Sequence, residues 1–302
     1  MADDSPGPAN LTVFESAPAA SDEFDISDPE LLGMLEASQR THFWFTARNL
    51  QIADFLRRDG APPPRRVLEV GCGTGTVLSS LRRAGYDALG VEMHAELARR
   101  AAAANPAGRI YSLDVRRPPA EFLREGPFEV VGAFDVVEHL EQPEEALRAC
   151  AGLLRPGGLL VGTVPALPSL WSDYDAHAGH RLRYDADAIR ALFERALLPV
   201  PRVSYFFQVL IPAMLGRRAL IGRRGSQDVR QRRAAQHLAL DTPGPFWNRA
   251  LASACGLERW VRRLLPLVDG IPGASLWFSA RISNPDAFRE ATPPTERTGG
   301  RS

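Results

Sequence analysis

An acidic residue and three glycines at alternating positions carry the clearest chemical signal in the sequence. These residues are Glu69, Gly71, Gly73 and Gly75. They follow a short apolar run that is typical of a buried strand, and they precede apolar residues at helical spacing. Because glycine has no Cβ, such a turn lets backbone N–H groups approach a bound ligand closely.

The glycine spacing and the acid together indicate the kind of ligand. Dinucleotide-binding turns use the pattern G-x-G-x-x-G and seat a pyrophosphate at the N-terminus of the following helix. Here the glycines alternate, and the carboxylate of Glu69 would repel a pyrophosphate but attract an ammonium or sulfonium group. The pattern therefore favours a cationic ligand, with an unoccupied strand-to-helix turn as the alternative.

Two further acids end predicted strands downstream of the glycines. Glu92 ends a strand over 86–91, where a carboxylate can accept hydrogen bonds from both hydroxyls of a ribose. Dinucleotide enzymes place an acid similarly, so Glu92 does not separate the two ligand classes, and capping of the next helix is its alternative role. Asp114 follows a third predicted strand over 109–113, and it too has helix capping as an alternative.

These residues resemble motifs of the class I S-adenosylmethionine-dependent methyltransferase family. The run Glu69-Val70-Gly71-Cys72-Gly73-Thr74-Gly75 is similar to motif I of that family, and Leu153-Leu154-Arg155-Pro156-Gly157-Gly158 resembles the motif before its fifth strand. The resemblance spans about residues 40–205 and the final strand. It implies a doubly wound, seven-stranded, Rossmann-like α/β sheet and S-adenosylmethionine as the cofactor.

The resemblance also implies which residues hold the cofactor. Asp114 matches the residue that hydrogen-bonds the adenine amino group, and Phe134 and Asp135 end the fourth predicted strand, where ligands bind in such sheets. The predicted cofactor-binding residues are Arg48, Glu69, Gly71, Cys72, Gly73, Gly75, Glu92, Met93, Asp114, Val115, Phe134 and Asp135.

Histidines near the strand ends are candidates for serving the methyl acceptor. A hydroxyl acceptor must lose a proton, and histidine is the usual base near neutral pH. His139, His177 and His180 are candidates, and we predict His139 and His180 as the catalytic residues. A second interpretation is that His180 binds a polar acceptor together with Arg183 and Tyr184.

A metal site is an alternative at the same place. Asp135, Glu138 and His139 form the pattern Asp-x-x-Glu-His, which would put all three on one face of a helical turn. The pattern is similar to a metal-binding motif in ubiquinone-pathway and small-RNA O-methyltransferases, where the metal lowers the pKa of an acceptor hydroxyl. Family members without metal also carry Glu-His here, where it begins a helix. We predict no metal, with these three residues as the alternative ligands.

An aromatic segment precedes the first predicted strand. His42-Phe43-Trp44-Phe45 leads into a helix that runs to about Arg58, and a subset of the family has a similar segment. By that resemblance, helices over 29–60 cap the cofactor pocket, and Arg48 reaches the methionine carboxylate. Packing of the aromatic side chains on the main domain is the alternative.

Strands and helices alternate over residues 61–206, which predicts a parallel sheet covered on both faces. The final strand, over 271–283, is expected to run antiparallel between the fifth and sixth strands. The insert over 207–270 begins apolar and becomes Arg-rich. We expect a helical substrate lid, which either packs back on the core with a solvated basic face or contacts a membrane surface or lipid-linked substrate.

The composition is that of a globular protein. The 302 residues are 45% hydrophobic and carry 36 basic and 36 acidic side chains. The formal net charge is therefore zero and gives no indication of a nucleic-acid partner. Three scattered cysteines favour a reducing compartment. We find no signal peptide and no membrane-spanning run, and we predict a cytoplasmic protein, peripheral at a membrane in the alternative. The tails over 1–28 and 284–302 are expected to be disordered.

The sequence therefore predicts methyl transfer from S-adenosylmethionine, to an oxygen of a small or lipid-linked acceptor. A nicotinamide-dependent oxidoreductase is disfavoured by the glycine spacing and by Glu69. A non-catalytic relative would keep the fold as a binding or membrane-adaptor module and use the Arg-rich insert. The sequence identifies neither the acceptor nor the oligomeric state.

Overall fold

One mixed sheet of eight strands organises the residues that the computed structural model describes, which are 8–14, 29–172, 175–176, 178–221 and 243–289. Across the sheet the order is β1-β4-β3-β2-β5-β6-β8-β7. Strand β8 is antiparallel to both of its neighbours, and the other described pairs are parallel. This confirms the predicted doubly wound fold and the place of the final strand. The strands are β1 (Leu11–Val13), β2 (Arg66–Val70), β3 (Asp87–Glu92), β4 (Ile110–Ser112), β5 (Phe128–Phe134), β6 (Leu154–Pro165), β7 (Arg202–Phe206) and β8 (Ser275–Ile282).

Helices pack on both faces of this sheet. Successive residues of the central strands enter different apolar clusters, Leu68 on one face and Val67 on the other. Because side chains alternate along a strand, this sheet is buried on both sides. The helices are α1 (Pro29–Thr41), α2 (Phe43–Arg58), α3 (Thr76–Arg83), α4 (Ala95–Ala104), α5 (Ala120–Leu123), α6 (Pro143–Gly152), α7 (Ala186–Arg195), α8 (Ile211–Ile221), α9 (Pro245–Leu264) and α10 (Asp286–Arg289).

Strand β1 lies within a segment that the sequence predicts to be disordered. Leu11 pairs with Ile110 at the edge of the sheet. The side-chain amide of Asn10 donates to three carbonyl oxygens near the end of α4, those of Ala102, Asn105 and Gly108, at 3.2, 2.9 and 2.8 Å. Pairing with a distant strand supplies this order, so composition does not reveal it. Residues 1–7 and 15–28 of the same predicted tail lie outside the described residues.

A short helix, α10, likewise stands in the predicted C-terminal tail. Arg289 donates to the carbonyl oxygens of Gly152 and Leu154 at 2.7 and 3.0 Å and so fixes α10 beside α6. Residues 290–302 lie outside the described residues.

The insert between β7 and β8 contains α8 and α9. Most of its predicted basic stretch, residues 222–242, lies outside the described residues. Helix α9 packs against α2, and Asn248 links them: its side chain accepts from the N–H of Phe43 and donates to the carbonyl of Thr41, at 2.8 and 2.9 Å. Among the described helices, none has the length and apolarity that crossing a bilayer requires.

Candidate functional site

The glycine turn lies at the carboxyl end of β2 and has the backbone that only glycine adopts readily. Gly71, Gly73 and Gly75 have φ angles of +69°, +54° and +78°. The N–H groups of Gly71 and Cys72 donate to the carbonyl of Val91 at 2.8 and 3.0 Å, which fixes the turn against β3. The sequence therefore sets this geometry locally.

The three glycines are needed for two different reasons. A Cβ at Gly71 would stand 2.6 Å from a methyl carbon of Val136, and a Cβ at Gly75 would stand 2.5 Å from the amide nitrogen of Asn105. Those two glycines allow close internal packing. A Cβ at Gly73 would meet no atom of the described residues within 4 Å, apart from its two chain neighbours. The middle glycine therefore borders open space, where its backbone is accessible to a ligand.

Glu92 closes the turn from the end of β3. Its Oε2 accepts a hydrogen bond from the N–H of Gly73 at 2.9 Å, and its Oε1 accepts from the N–H of His94 at 2.9 Å. His94 precedes the first residue of α4, so Glu92 also holds the start of that helix. Glu92 therefore has the capping role that was its alternative, and it also lies at the position predicted to bind the ribose.

Glu69 is a buried carboxyl group beside this turn. Its Oε2 finds no hydrogen-bond partner among the described residues. Burial raises the pKa of Glu69 to about 8, an effect that the charge of Arg48 opposes and that of Glu92 reinforces. A buried acid without a full set of partners gains most from an arriving cation. This environment suits an ammonium or sulfonium group.

The ends of β3 and β4 bring further predicted residues together. Leu113 donates its N–H to the carbonyl of Glu92 at 3.2 Å, so Asp114 lies beside the end of β3. The carboxylate of Asp114 accepts from the backbone N–H and the guanidinium of Arg116 at 2.8 to 3.1 Å. A ligand amino group at Asp114 would therefore share that carboxylate with Arg116. Val115 is buried, and Met93 is half-buried.

Cys72 and Phe134, which the sequence predicts to contact the cofactor, are both buried. Both side chains belong to the apolar cluster on one face of the sheet. The ring of Phe134 stacks on Trp277, with 6.2 Å between centroids. Their contact with the cofactor stays a prediction.

Helix α2 carries Arg48 to the end of β5. The buried guanidinium of Arg48 forms an ion pair with Asp135 and also donates to Asn49 at 3.2 and 3.3 Å. Arg48 was predicted to reach a ligand carboxylate, and in the structure Asp135 is its partner. The sheet end of α2 is fixed by Asp59, whose Oδ2 accepts from the side chains of Trp277 and Ser279 at 2.8 and 2.7 Å.

Asp135 is held in an unusual backbone conformation. Its φ is +54°, which is costly for a residue other than glycine. Thr163 on β6 compensates, because its carbonyl accepts from the N–H of Asp135 at 2.9 Å and its hydroxyl donates to the carboxylate at 2.8 Å. Backbone strain of this kind is typical of functional sites.

The two predicted catalytic histidines are adjacent. The rings of His139 and His180 lie 4.9 Å apart and nearly perpendicular. Nδ1 of His139 stands 3.1 Å from the carbonyl oxygen of Gly179. Burial, together with the neighbouring His180, lowers the pKa of His139 to about 4. His139 is therefore neutral at pH 7. The third candidate, His177, lies outside the described residues.

An aspartate that sequence reasoning missed contacts His180. Nδ1 of His180 stands 3.0 Å from Oδ1 of the buried Asp175. Burial alone would raise the pKa of Asp175, but hydrogen bonds from His180 and Arg183 and the charge of Arg183 lower it below the ordinary value. Arg183 is buried and donates to Asp175 at 2.8 Å, and Tyr184 is buried too. Arg183 thus holds Asp175 beside His180. Contact of Arg183 or Tyr184 with a polar acceptor stays a prediction.

Glu138 completes the histidine cluster. It is fully buried, and neither carboxyl oxygen has a hydrogen-bond partner among the described residues. Burial and the charge of Asp135 raise its pKa well above the ordinary value. Ligand atoms of Glu138, His139 and His180 lie within 4.8 Å of one another, so these three could hold a metal ion. Asp135 is absent from this set because its left-handed backbone precedes the short turn Val137–His139.

The sequence profile of the family described as "Methyltransferase domain" matches residues 38–198, more than half of the chain. The chain belongs to the methyltransferase domain family. The match begins near the end of α1 and ends just past α7, so it contains the glycine turn and the histidine cluster. The family that the sequence motifs indicated is confirmed. Helices α8 and α9 and strand β8 lie outside the matched residues.

Curated relatives of this methyltransferase-domain protein include ubiquinone biosynthesis O-methyltransferases. The one from Caulobacter sp. (strain K31) is 38% identical over 99 residues, covering 32% of this chain and 39% of the relative. The one from Sodalis glossinidius (strain morsitans) is 32% identical over 126 residues, covering 40% of this chain and 50% of the relative. The chain thus spans half or less of the length of these relatives.

Solved structures of methyltransferases share the fold. The plantazolicin methyltransferase BamL, in complex with triazolic desmethylPZN analog and SAH, matches with a TM-score of 0.52 at 12% identity, over 85% of this chain and 92% of that one. One chain of a Haloferax volcanii complex between the Trm112 methyltransferase activator and a methyltransferase matches with a TM-score of 0.51 at 16% identity, over 88% of this chain and 100% of that one.

Proposed function

We propose that this protein transfers a methyl group from S-adenosylmethionine to an oxygen of a small or lipid-linked acceptor. The observation that carries the proposal is the open face of Gly73, whose N–H contacts the buried Glu92 in the same turn that the buried Glu69 precedes. Glu69 would face the positive charge of the cofactor, and Glu92 would accept from its ribose hydroxyls. Membership in the methyltransferase domain family supports the proposal, and so do the names of the curated relatives.

Calorimetry tests the cofactor directly. We expect S-adenosylmethionine and S-adenosylhomocysteine to bind and NAD to show no heat of binding, because the alternating glycines do not form the G-x-G-x-x-G turn that seats a pyrophosphate. Binding of NAD without binding of either sulfur compound would overturn the proposal and favour an oxidoreductase.

The acceptor is proposed to lose its proton at the histidine cluster. His139 is too weakly basic to hold a proton at pH 7, because its pKa is about 4. His180 is better placed as the proton acceptor, since the carboxylate of Asp175 orients its ring and stabilises the cation that forms. We expect His180→Asn to lower kcat strongly with a small effect on S-adenosylhomocysteine affinity. Asp175→Asn is expected to lower kcat less, because Asp175 acts only through His180.

A divalent cation is a second candidate for the same step, favoured by the fully buried and unpartnered carboxyl group of Glu138. Glu138, His139 and His180 would hold the cation, which lowers the pKa of a bound hydroxyl. Metal analysis and thermal unfolding with and without Mg²⁺ or Mn²⁺ test this candidate. We expect a cation-dependent rise in Tm that Glu138→Gln abolishes. An unchanged Tm and full activity in EDTA would leave His180 as the base.

The location and the partners are part of the same proposal. A lipid-linked acceptor would place the chain at a cytoplasmic membrane surface, with the insert over 207–270 in peripheral contact. A non-catalytic adaptor with this fold would bind the cofactor without turnover. Transfer of labelled methyl groups from S-adenosylmethionine into phenolic or lipid extracts separates the two, since an adaptor yields no labelled product.

A further inference from the structure

Helix α9 of the insert presents an apolar stripe to the outside. Its members on the helix are separated by eleven, three and four residues, spacings that place them on one side of the helix. This side is opposite the one that carries the buried side chains of Cys255 and Arg262. Each member exposes more than half of its surface. The members on the helix are Phe246, Leu257, Trp260 and Leu264, with Leu265 and Leu267 continuing beyond its end. We call these six residues the α9 stripe.

Among the described residues, hydrogen bonds from the inner side of α9 hold this helix to the protein. Glu258 accepts from the N–H groups of Phe207 and Val209 at 2.6 and 2.9 Å. Arg262 donates to the carboxylate of Asp269 at 2.6 Å. Large side chains that are exposed together, without a packing role, indicate an interaction surface.

The charges beside the α9 stripe are positive in sum. Helix α9 contains one acidic residue, Glu258, and its side chain faces inward. Around Asp54 of α2 stand three arginines, Arg57, Arg259 and Arg263, at 3.6, 3.5 and 2.7 Å. Three guanidinium groups around one carboxylate leave this flank of the helix positive.

More basic residues lie next to the α9 stripe in structure and in sequence. Arg249 is exposed on the same flank of the helix as Arg263. The sequence that leads into α9, residues 222–242, lies outside the described residues. It contains Arg223, Arg224, Arg230, Arg232 and Arg233 against Asp228 and Asp241.

We propose that the α9 stripe docks on the surface of an anionic lipid bilayer. A helix that combines large apolar side chains and tryptophan on one side with arginines on the flank lies flat at the headgroup boundary. The arginines then face anionic lipids. A second copy of this chain is the other occupant that an apolar stripe can accept. Symmetric pairing of two α9 helices would bring equal positive flanks together without exposed acids to pair them, so the charges favour the bilayer.

The position of α9 connects this surface to the site. Asn248 ties α9 to the start of α2, and α2 carries Arg48 to Asp135. The ring of Trp44 lies 4.8 Å from that of Phe207, between the insert and the cap. A docked chain would therefore hold the cap over the site close to the lipid. This step alone rests on the proposed function, because it supplies a route for a lipid-linked acceptor.

Vesicle flotation with the full chain tests the docking surface. The probes are vesicles of phosphatidylcholine alone and of phosphatidylcholine mixed with phosphatidylglycerol. We expect binding to the mixed vesicles, weakened by salt. The triple variant Leu257→Gln, Trp260→Gln, Leu264→Gln is expected to lower the partition coefficient about 100-fold, since it removes three apolar side chains from the interface. Arg249→Glu is expected to reduce binding to the mixed vesicles only.

The matched control is Val200→Gln, because Val200 is 80% exposed on the loop between α7 and β7. It should float as the unaltered chain does. Equal flotation of the triple variant, or no flotation of the unaltered chain, would overturn the proposal. The proposal would also be overturned if the unaltered chain is a dimer and the triple variant is a monomer with unchanged vesicle binding. The affinity for S-adenosylhomocysteine is measured in parallel. If the chain floats with the vesicles but does not bind S-adenosylhomocysteine, methyl transfer is contradicted and the docking proposal is not.

Discussion

The donor side and the acceptor side of the site are built in different ways. The donor side is the glycine turn with the ends of β2, β3 and β4. Its hydrogen bonds are mostly made by backbone groups near each other on two neighbouring strands, such as the N–H of Gly71 with the carbonyl of Val91 and the N–H of Gly73 with Glu92. The acceptor side is the ends of β5 and β6 with the residues that reach them. There, side chains from separate parts of the chain pair with one another, as Arg48 does with Asp135.

This difference has a functional consequence. Backbone donors on strand ends stay in place when side chains change, so the donor side suits a ligand that is the same in every turnover. Side-chain pairs on the acceptor side can be exchanged without altering the sheet, so they suit a group that sets specificity. We infer that the donor side fixes the reaction class and that the acceptor side fixes the substrate.

The largest effect is expected at Gly73. Gly73→Val would put a branched side chain into the open space that the turn presents, where a Cβ meets no described residue beyond its chain neighbours within 4 Å. We expect S-adenosylhomocysteine affinity to fall by at least about 100-fold, equivalent to about 3 kcal/mol. Calorimetry measures the loss.

Gly157→Val is the matched control for that change. Gly157 also has a positive φ, +75°, and a Cβ there also meets no described residue beyond its chain neighbours within 4 Å. It lies near the amino end of β6, away from the donor side. Both variants carry the same kind of backbone strain. Equal loss of affinity in both would trace the effect to strain and remove Gly73 from the binding surface.

A smaller effect is expected when the ion pair of the acceptor side is broken. Arg48→Met leaves the carboxylate of Asp135 without its counter-charge in a strained backbone conformation. We expect the free energy of unfolding to fall by about 2 to 3 kcal/mol, below the largest values for buried pairs because Asp135 is partly exposed. Urea unfolding measures the loss. The double variant Arg48→Met, Asp135→Asn should recover part of it, and strictly additive losses would show that the two side chains are not coupled.

The donor side could be predicted from sequence because its signals are local. The alternating glycines predicted a tight turn, and all three have positive φ angles in the structure. Glu92 and Asp114 stand at the strand ends where the alternation of strands and helices put them. The order of the seven predicted strands followed from the same alternation and from the family resemblance, whereas the eighth strand, β1, was not predicted. Each of these inferences needs only neighbouring residues and the rules of parallel sheets.

The acceptor side could be predicted only in part, because its contacts join distant residues. His139 and His180 were selected, but the pairing of His180 with Asp175 depends on how the loop after β6 folds. Asp135 was expected to share a helical face with Glu138, whereas its left-handed backbone turns it towards Arg48. No local sequence pattern predicts a left-handed backbone conformation at Asp135.

A pH dependence is expected on the donor side. In the free protein the pKa of Glu69 is about 8, above its ordinary 4.5, so the group is protonated at neutral pH. A cationic cofactor favours the ionised form, and binding then releases a proton. Affinity for S-adenosylmethionine should therefore rise with pH below the raised pKa, by about tenfold from pH 6 to pH 7. Calorimetry across that range tests this, and Glu69→Gln should remove the dependence. The same slope in Glu69→Gln would assign the proton to another group.

The smallest effect is expected at the links that hold the periphery of each side. Asn248 joins α9 to α2 through two side-chain hydrogen bonds on the acceptor side, and Asn10 joins β1 to the end of α4 through three on the donor side. Replacing either by alanine should lower the free energy of unfolding by about 1 to 2 kcal/mol, because each of these partly exposed bonds contributes about 0.5 to 1 kcal/mol net. Urea unfolding compares the two variants.

The two alanine variants should differ in what else they change. Asn248→Ala loosens the cap that carries Arg48, so we expect a higher KM for the acceptor with S-adenosylhomocysteine affinity unchanged. Asn10→Ala loosens only the edge of the sheet beside α4, so both quantities should stay the same. The same rise in acceptor KM in both variants would mean that the two sides respond to general destabilisation, and the division between a backbone-built donor side and a side-chain-built acceptor side would lose its functional meaning.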